Sequence, residues 1–175
     1  MQTTNRFETA DAAVAANIEM RPLRTAEDAT AFRTLNEEWI TRYFKLEPKD
    51  IATLGDPQGA ILAKGGQIFF AHVDGEIDGE AVGCVALIPM HDGVYELSKM
   101  AVAPKMRGLG VGRKLLEYTI AQARELGAKS LFLGSNSVLS NAVHLYESIG
   151  FRYVPPESLP EMHYARADVF MEMEL

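Results

Sequence analysis

The stretch Val94–Leu126 reads V-Y-E-L-S-K-M-A-V-A-P-K-M-R-G-L-G-V-G-R-K-L-L-E-Y-T-I-A-Q-A-R-E-L. It begins as a strand, passes through Pro104 and a glycine-rich turn, and continues at once in a helical pattern. Gly108, Gly110 and Gly112 alternate with Leu109 and Val111. Such a turn strips side chains from the backbone where a helix starts. Its N–H groups can then approach an anion closely, and the helix dipole favours the negative charge. The expectation is a phosphate-binding turn between a strand and a helix.

Inside that strand the apolar positions change parity. Tyr95 and Leu97 are odd; Met100 and Val102 are even. The switch falls near Ser98-Lys99. One extra residue, a β-bulge, flips every following side chain and would produce it; burial of the strand on both faces is the other route. A bulge would also free backbone N–H and C=O groups for a ligand.

Upstream, Asn17–Leu23 alternates around Ile18 and Met20 and reads as an edge strand. Thr25 and Asp28 form a capping-box pattern. Ala29, Phe32, Leu35, Trp39 and Tyr43 then recur at three and four, one face of a helix. A short helix is expected over Pro48–Leu54, stopped by Gly55-Asp56-Pro57. Gln67–Val73 and Ala81–Ile88 flank Asp74-Gly75 and Asp78-Gly79 as a hairpin, and His91-Asp92-Gly93 turns the chain into Val94–Ala103. Downstream, the helix keeps Val111, Leu115, Leu116, Ile120, Ala123 and Leu126 on its inner side and ends at Gly127. Lys129–Leu133 reads as a buried strand, parallel to the earlier one through a right-handed crossover. Ser140–Ile149 is a second helix, with Ser140 or Asn141 as its cap. Phe151–Val154 is strand-like, and Ala167–Leu175 alternates as a closing strand. Residues 1–16 show no clear period and read as an N-terminal tail; residues 17–175 read as a single α+β or α/β domain.

The bulk properties narrow the function. A chain of 175 residues, 47% hydrophobic and 23% charged, suits one soluble domain. No apolar run reaches the roughly 18 residues of a membrane span, and the first residues lack a secretory pattern. One cysteine, Cys84, excludes an intrachain disulfide and fits a cytoplasmic protein. Cys84 lies among Val82, Val85 and Ala86 and reads as a small core residue. His72, His91, His144 and His163 lack ligand spacing, so no metal is predicted. The net charge of −7 argues against nucleic-acid binding and is compatible with a cationic partner such as an amine.

The turn is no P-loop, because Arg113-Lys114 follows Gly112 where Gly-Lys-Ser/Thr is required. The one-residue glycine spacing also departs from the dinucleotide fingerprint. What stands here is Arg107-x-x-Gly110-x-Gly112 after Val102-Ala103-Pro104. This resembles the signature of the GCN5-related N-acetyltransferases (GNAT), Arg/Gln-x-x-Gly-x-Gly/Ala after the fourth strand. Glu96–Leu116 looks like the family's central strand, loop and helix, and Leu145–Phe151 (L-Y-E-S-I-G-F) looks like its second hallmark. The element order from Asn17 to Leu175 is similar too.

The resemblance implies a GNAT-like fold: a mixed, mostly antiparallel sheet of six to seven strands, a bulged and splayed central strand, and about four helices. It implies a transferase using acetyl-CoA as co-substrate, an acyltransferase acting on a small-molecule or peptide amine, and a possible homodimer. Backbone groups of Met100, Ala101 and Val102 would bind the acetyl carbonyl and pantetheine arm, and the loop Arg107, Gly108, Leu109, Gly110, Val111, Gly112 and Arg113 the pyrophosphate. The family often has Asn seven residues before its tyrosine; that position is Leu139, with Asn141 close by and Asn136 as a substitute. Trp39, Tyr43, Phe44 and Tyr164 would border the acceptor.

Acetyl transfer to an amine needs a base for an ammonium of pKa near 10, a proton for a thiolate of pKa near 8.5, and a donor for the carbonyl oxygen. Tyr146 is the candidate acid by its match to the family tyrosine; by residue type alone it reads as an amphipathic core residue. Glu96 is the candidate base, acting through a water; its other reading is a carboxylate paired with Lys99 or Arg113. A non-catalytic CoA-binding module would keep the loop without needing Tyr146 or Glu96.

Overall fold

The computed structural model describes residues 17–73, 80–159 and 165–175. The proposed tail, the Asp74–Gly79 turn, His163 and Tyr164 lie outside them. Strand β1 (Ile18–Pro22) leads to helices α1 (Ala26–Tyr43), α2 (Pro48–Gly55) and α3 (Pro57–Ala60). Then come β2 (Gln67–Val73), β3 (Ala81–His91) and β4 (Val94–Val102). Helix α4 (Val111–Glu125), β5 (Ser130–Ser135), α5 (Ser140–Ile149), β6 (Arg152–Tyr153) and β7 (Val169–Glu174) complete the order. The seven strands form one sheet in the order β1-β2-β3-β4-β5-β7-β6. Every pairing is antiparallel except β4 with β5. This is the expected mixed sheet, with β1 at an edge and α4 crossing over between the parallel pair.

Local chemistry explains the boundaries. Thr25 accepts from Asp28 N and the Asp28 carboxylate accepts from Thr25 N, closing the capping box that starts α1. Asp92 and Gly93, at φ 44° and 80°, supply the left-handed pair that a tight β3–β4 hairpin requires. Pro57 does not merely stop α2: Asp56 caps a further turn, and Pro57 opens it as α3.

Alternation along the strands divides the core between the two faces of the sheet. Leu97, Val111, Leu115, Leu116, Leu131 and Leu133 pack on the side of α4 and α5. Phe32, Ile40, Leu54, Ile68, Phe70 and Cys84 pack on the side of α1 and α2. Burying each large side chain contributes about 1.5–3 kcal/mol. Two expected faces shift. The buried stripe of α1 is Asp28, Phe32, Asn36 and Ile40, leaving Tyr43 44% exposed. In α4, Thr119 is buried and Leu126 is exposed. Both stripes contain polar residues satisfied locally, since Thr119 donates to Leu115 O and Asn36 to Phe32 O.

Candidate active site

β4 and β5 pair at Val94–Ser130, Tyr95–Leu131 and Glu96–Phe132. β4 runs on to Val102 and β5 to Ser135, so the strands part immediately after Glu96. The gap is the floor of a cleft of about 560 Å³. The bulge predicted from the parity switch lies in its wall. Ala86 faces Ser98 and Cys84 faces Ala101, so two steps on β3 oppose three on β4. The extra residue is at Lys99, whose φ of +54° is left-handed. Leu97, Met100 and Val102 therefore pack on the α4 side, and Ala101 packs on the α1 side.

At one end of the cleft the chain leaves β4 through a 3-10 turn, Pro104–Met106, into the glycine loop. Gly108 and Gly110 have φ of +79° and +81°, which explains glycine there on backbone grounds. The first α-helical bond of α4 runs from Lys114 N to Gly110 O. The N–H groups of Val111, Gly112 and Arg113, residues that line the cleft, precede it and are the orphan donors of a helix start. Arg107 stands alongside, donating from Nη2 to Glu38 Oε2 at 2.8 Å and from Nε to Val102 O at 3.2 Å. Arg113 donates to Ser148 Oγ at 2.6 Å, fastening the loop to α5. Leu109 is the loop residue that packs into the core instead of lining the cleft.

α5 supplies Tyr146, 8% exposed, edge-on to Phe151, with its hydroxyl 3.9 Å from Met100 Sδ. Burial pushes its pKa up to about 12, so the hydroxyl keeps its proton at neutral pH. Asn141 lines the cleft from the first turn of α5. Neither Ser140 nor Asn141 caps that helix; the N-cap is Leu139, without a side-chain bond. Asn136 also lines the cleft, but its amide is engaged: Nδ2 donates to Arg166 O at 2.6 Å, and Oδ1 accepts from Val138 N at 2.9 Å.

Trp39, Tyr43, Phe44, Glu96 and Arg166 also line the cleft. Here lies an arrangement that sequence reading did not find. Asp50, fully buried, accepts from Lys99 Nζ at 2.6 Å and from both terminal nitrogens of Arg166 at 2.6 and 2.8 Å. Arg166 also pairs with Glu47 and lies over the Trp39 ring. Burial alone would raise the Asp50 pKa; the hydrogen bonds from Arg166 and Lys99 outweigh it and hold it at about 2. Burial pulls Lys99 the other way, below the usual lysine range, against the opposing pull of Asp50. The one sequence hint was Lys99 itself, a charge at the parity switch. Its ammonium pairs with Asp50. Among the described residues no group of His, Cys, Asp and Glu is arranged to hold a metal ion, and no helix is long and apolar enough to cross a membrane.

With a bulged strand, a parted parallel pair and a glycine loop meeting in one cleft, the comparisons fall into place. The acetyltransferase (GNAT) family model matches residues 29–151, more than half the chain, and the chain belongs to that family of acetyl-CoA-dependent acyltransferases. An uncharacterized N-acetyltransferase of Schizosaccharomyces pombe is 28% identical over 166 residues, covering 87% of this chain and 96% of its own. The amino-acid acetyltransferase of Ralstonia nicotianae is 37% identical over 87 residues, about half of this chain, which spans 18% of that protein. A Staphylococcus aureus GNAT-family acetyltransferase superposes with a TM-score of 0.79 at 22% identity, covering 90% of this chain and 98% of its own. One from Elizabethkingia anophelis, with acetyl-CoA bound, gives 0.58 at 22% identity, covering 91% and 99%.

Proposed function

We propose that the protein transfers an acetyl group from acetyl-CoA to a primary amine of a small molecule or an exposed amino group, by direct attack in a ternary complex. The observation that carries this is the convergence of the bulge, the Arg107–Arg113 loop, Glu96 and Tyr146 on a single cleft. The loop N–H groups and Arg107 bind the pyrophosphate. The backbone of Met100, Ala101 and Val102 aligns the pantetheine arm and donates to the acetyl carbonyl as its oxygen gains charge. Asn141 contributes from α5.

In the reaction a C–N bond forms and the C–S bond breaks. Glu96 takes the proton of the attacking ammonium through a water and passes it to solvent. Tyr146 donates to the departing sulfur. With a pKa of about 12, full transfer to a thiolate near 8.5 is uphill. Tyr146 therefore works chiefly as a hydrogen-bond donor that stabilises the departing thiolate, and the thiolate takes its proton from solvent water. Trp39 and Tyr43 border the amine.

Thermal unfolding with ligands tests the binding half. Acetyl-CoA at about 100 times its Kd is expected to stabilise the fold by about 2.7 kcal/mol, while ATP and NAD at equal concentration leave the midpoint unchanged. Thiol release across a panel of amines tests the chemistry. Protection by acetyl-CoA without turnover on any amine would favour the non-catalytic module.

A further inference from the structure

Lys99 is an odd choice for its position. The left-handed backbone at φ +54° is strained for a residue with a Cβ, and glycine would avoid that strain. Its side chain is also 2% exposed, with a charged end. A buried ion pair is weak support for stability, because desolvation offsets the attraction; fixing one conformation is the better-founded use.

Both ends of Lys99 are held, by different parts of the acceptor wall. The ammonium donates to Asp50, which also accepts from Glu47 N through the α2 capping box and from Arg166. The backbone carbonyl accepts from Cys84 Sγ at 3.6 Å. Cys84 Sγ in turn accepts from Asn36 Nδ2 at 3.4 Å, and Asn36 Oδ1 from Trp39 Nε1 at 3.1 Å. Burial pushes the Cys84 thiol up to about 12, so it stays protonated and remains a donor. One chain of bonds thus reaches the bulge from α1 and another from α2 and Arg166.

We propose that Lys99 is a positioning residue: its ammonium, tied through Asp50 to Arg166, and its carbonyl, tied through Cys84 and Asn36 to Trp39, hold the bulge so that the backbone of Met100–Val102 meets the thioester. The acceptor wall and the acetyl-binding strand are thereby set as one unit. The catalytic part of this inference rests on the acetyl-transfer reading above.

Two variants test it. Lys99→Gly keeps the left-handed backbone and the carbonyl bonded to Cys84 and deletes the ammonium tie to Asp50; Lys99→Met deletes the charge and keeps much of the stem. Amide exchange at Met100, Ala101 and Val102 is expected to rise about tenfold in both, with α4 core amides unchanged. The kcat is expected to fall about a hundredfold, as for a misplaced reacting group, with the KM for acetyl-CoA held within about twofold. Unchanged exchange at the three amides overturns the proposal. So does equal acceleration across the fold, which would make Lys99 a general stability residue, or full kcat in Lys99→Gly. If the unsubstituted protein releases no thiol with any amine, the acetyl-transfer reading fails, and the exchange pattern still decides whether Lys99 holds the bulge.

Discussion

Tyr146 and Asp50 show how much a single environment decides. The Tyr146 hydroxyl has a weak sulfur acceptor, Met100 Sδ, so removing it costs the fold little, about 1 kcal/mol or less. The Tyr146→Phe variant is expected to unfold at nearly the wild-type midpoint while kcat for thiol release falls about a hundredfold; an unchanged rate would remove Tyr146 from the chemistry. Asp50 is the opposite case. Its pKa is depressed from 3.8 to about 2 in the fold, so its ionisation contributes stability that is complete above 3.8 and lost as the pH falls through about 2. The shift corresponds to about 2 kcal/mol. Asp50→Asn takes the carboxylate away from the buried Lys99 ammonium and from Arg166, which keeps Glu47, and is expected to destabilise by about 3–5 kcal/mol at neutral pH. In urea titrations the gap to wild type should narrow as the pH drops below 3.8; a gap independent of pH would mean that the Asp50 charge is not what stabilises.

At the scale of elements, the loop and its neighbour α1 divide the labour. Gly110 needs its left-handed φ, whereas a Cβ on Gly112 would meet Leu145, Met100 and Val102 at 3.5–3.7 Å, ordinary contact. Gly110→Ala is expected to lose about 1–2 kcal/mol and acetyl-CoA affinity with it; Gly112→Ala should hold its stability or gain slightly. Denaturant melts of the two, side by side, check this. Glu38 on α1 pairs with Arg107, the side chain proposed to meet the pyrophosphate. Glu38→Gln should tighten CoA binding about threefold by calorimetry, less at high salt; weaker binding would mean that Glu38 orients Arg107. Elements were also where sequence reading worked best. The bulge was visible because one inserted residue leaves a parity record in Tyr95, Leu97, Met100 and Val102. The buried stripe of α1 was misjudged because Asn36 is polar, and only its bonds to Phe32 O and Cys84 make it a core residue. The Lys99–Asp50–Arg166 cluster joins positions 49 and 116 residues apart, a spacing that leaves no local pattern.

For the whole molecule, the sheet order matters beyond the cleft. The strand order was expected as far as the parallel pair, but the position of the final strand was not legible. Alternation in Val169–Glu174 reveals which face is buried and says nothing about which neighbours it joins. β7 sits between β5 and β6, pairing six positions of β5, Ser130–Ser135, with Glu174–Val169. Removing residues 169–175 would bare the edge of β5 and leave Leu131 and Leu133 without Met171 and Met173 beside them. Such a truncation is expected to be insoluble on expression; a soluble form that still binds CoA would refute this. The same placement sets a schedule for the ribosome. The segment from β5 to β6 cannot close its ladder until residues 169–174 have left the exit tunnel, so the edge of β5 away from β4 stays unpaired during synthesis. At about 5–20 residues per second, that leaves a gap of a few seconds between making β5 and sealing it.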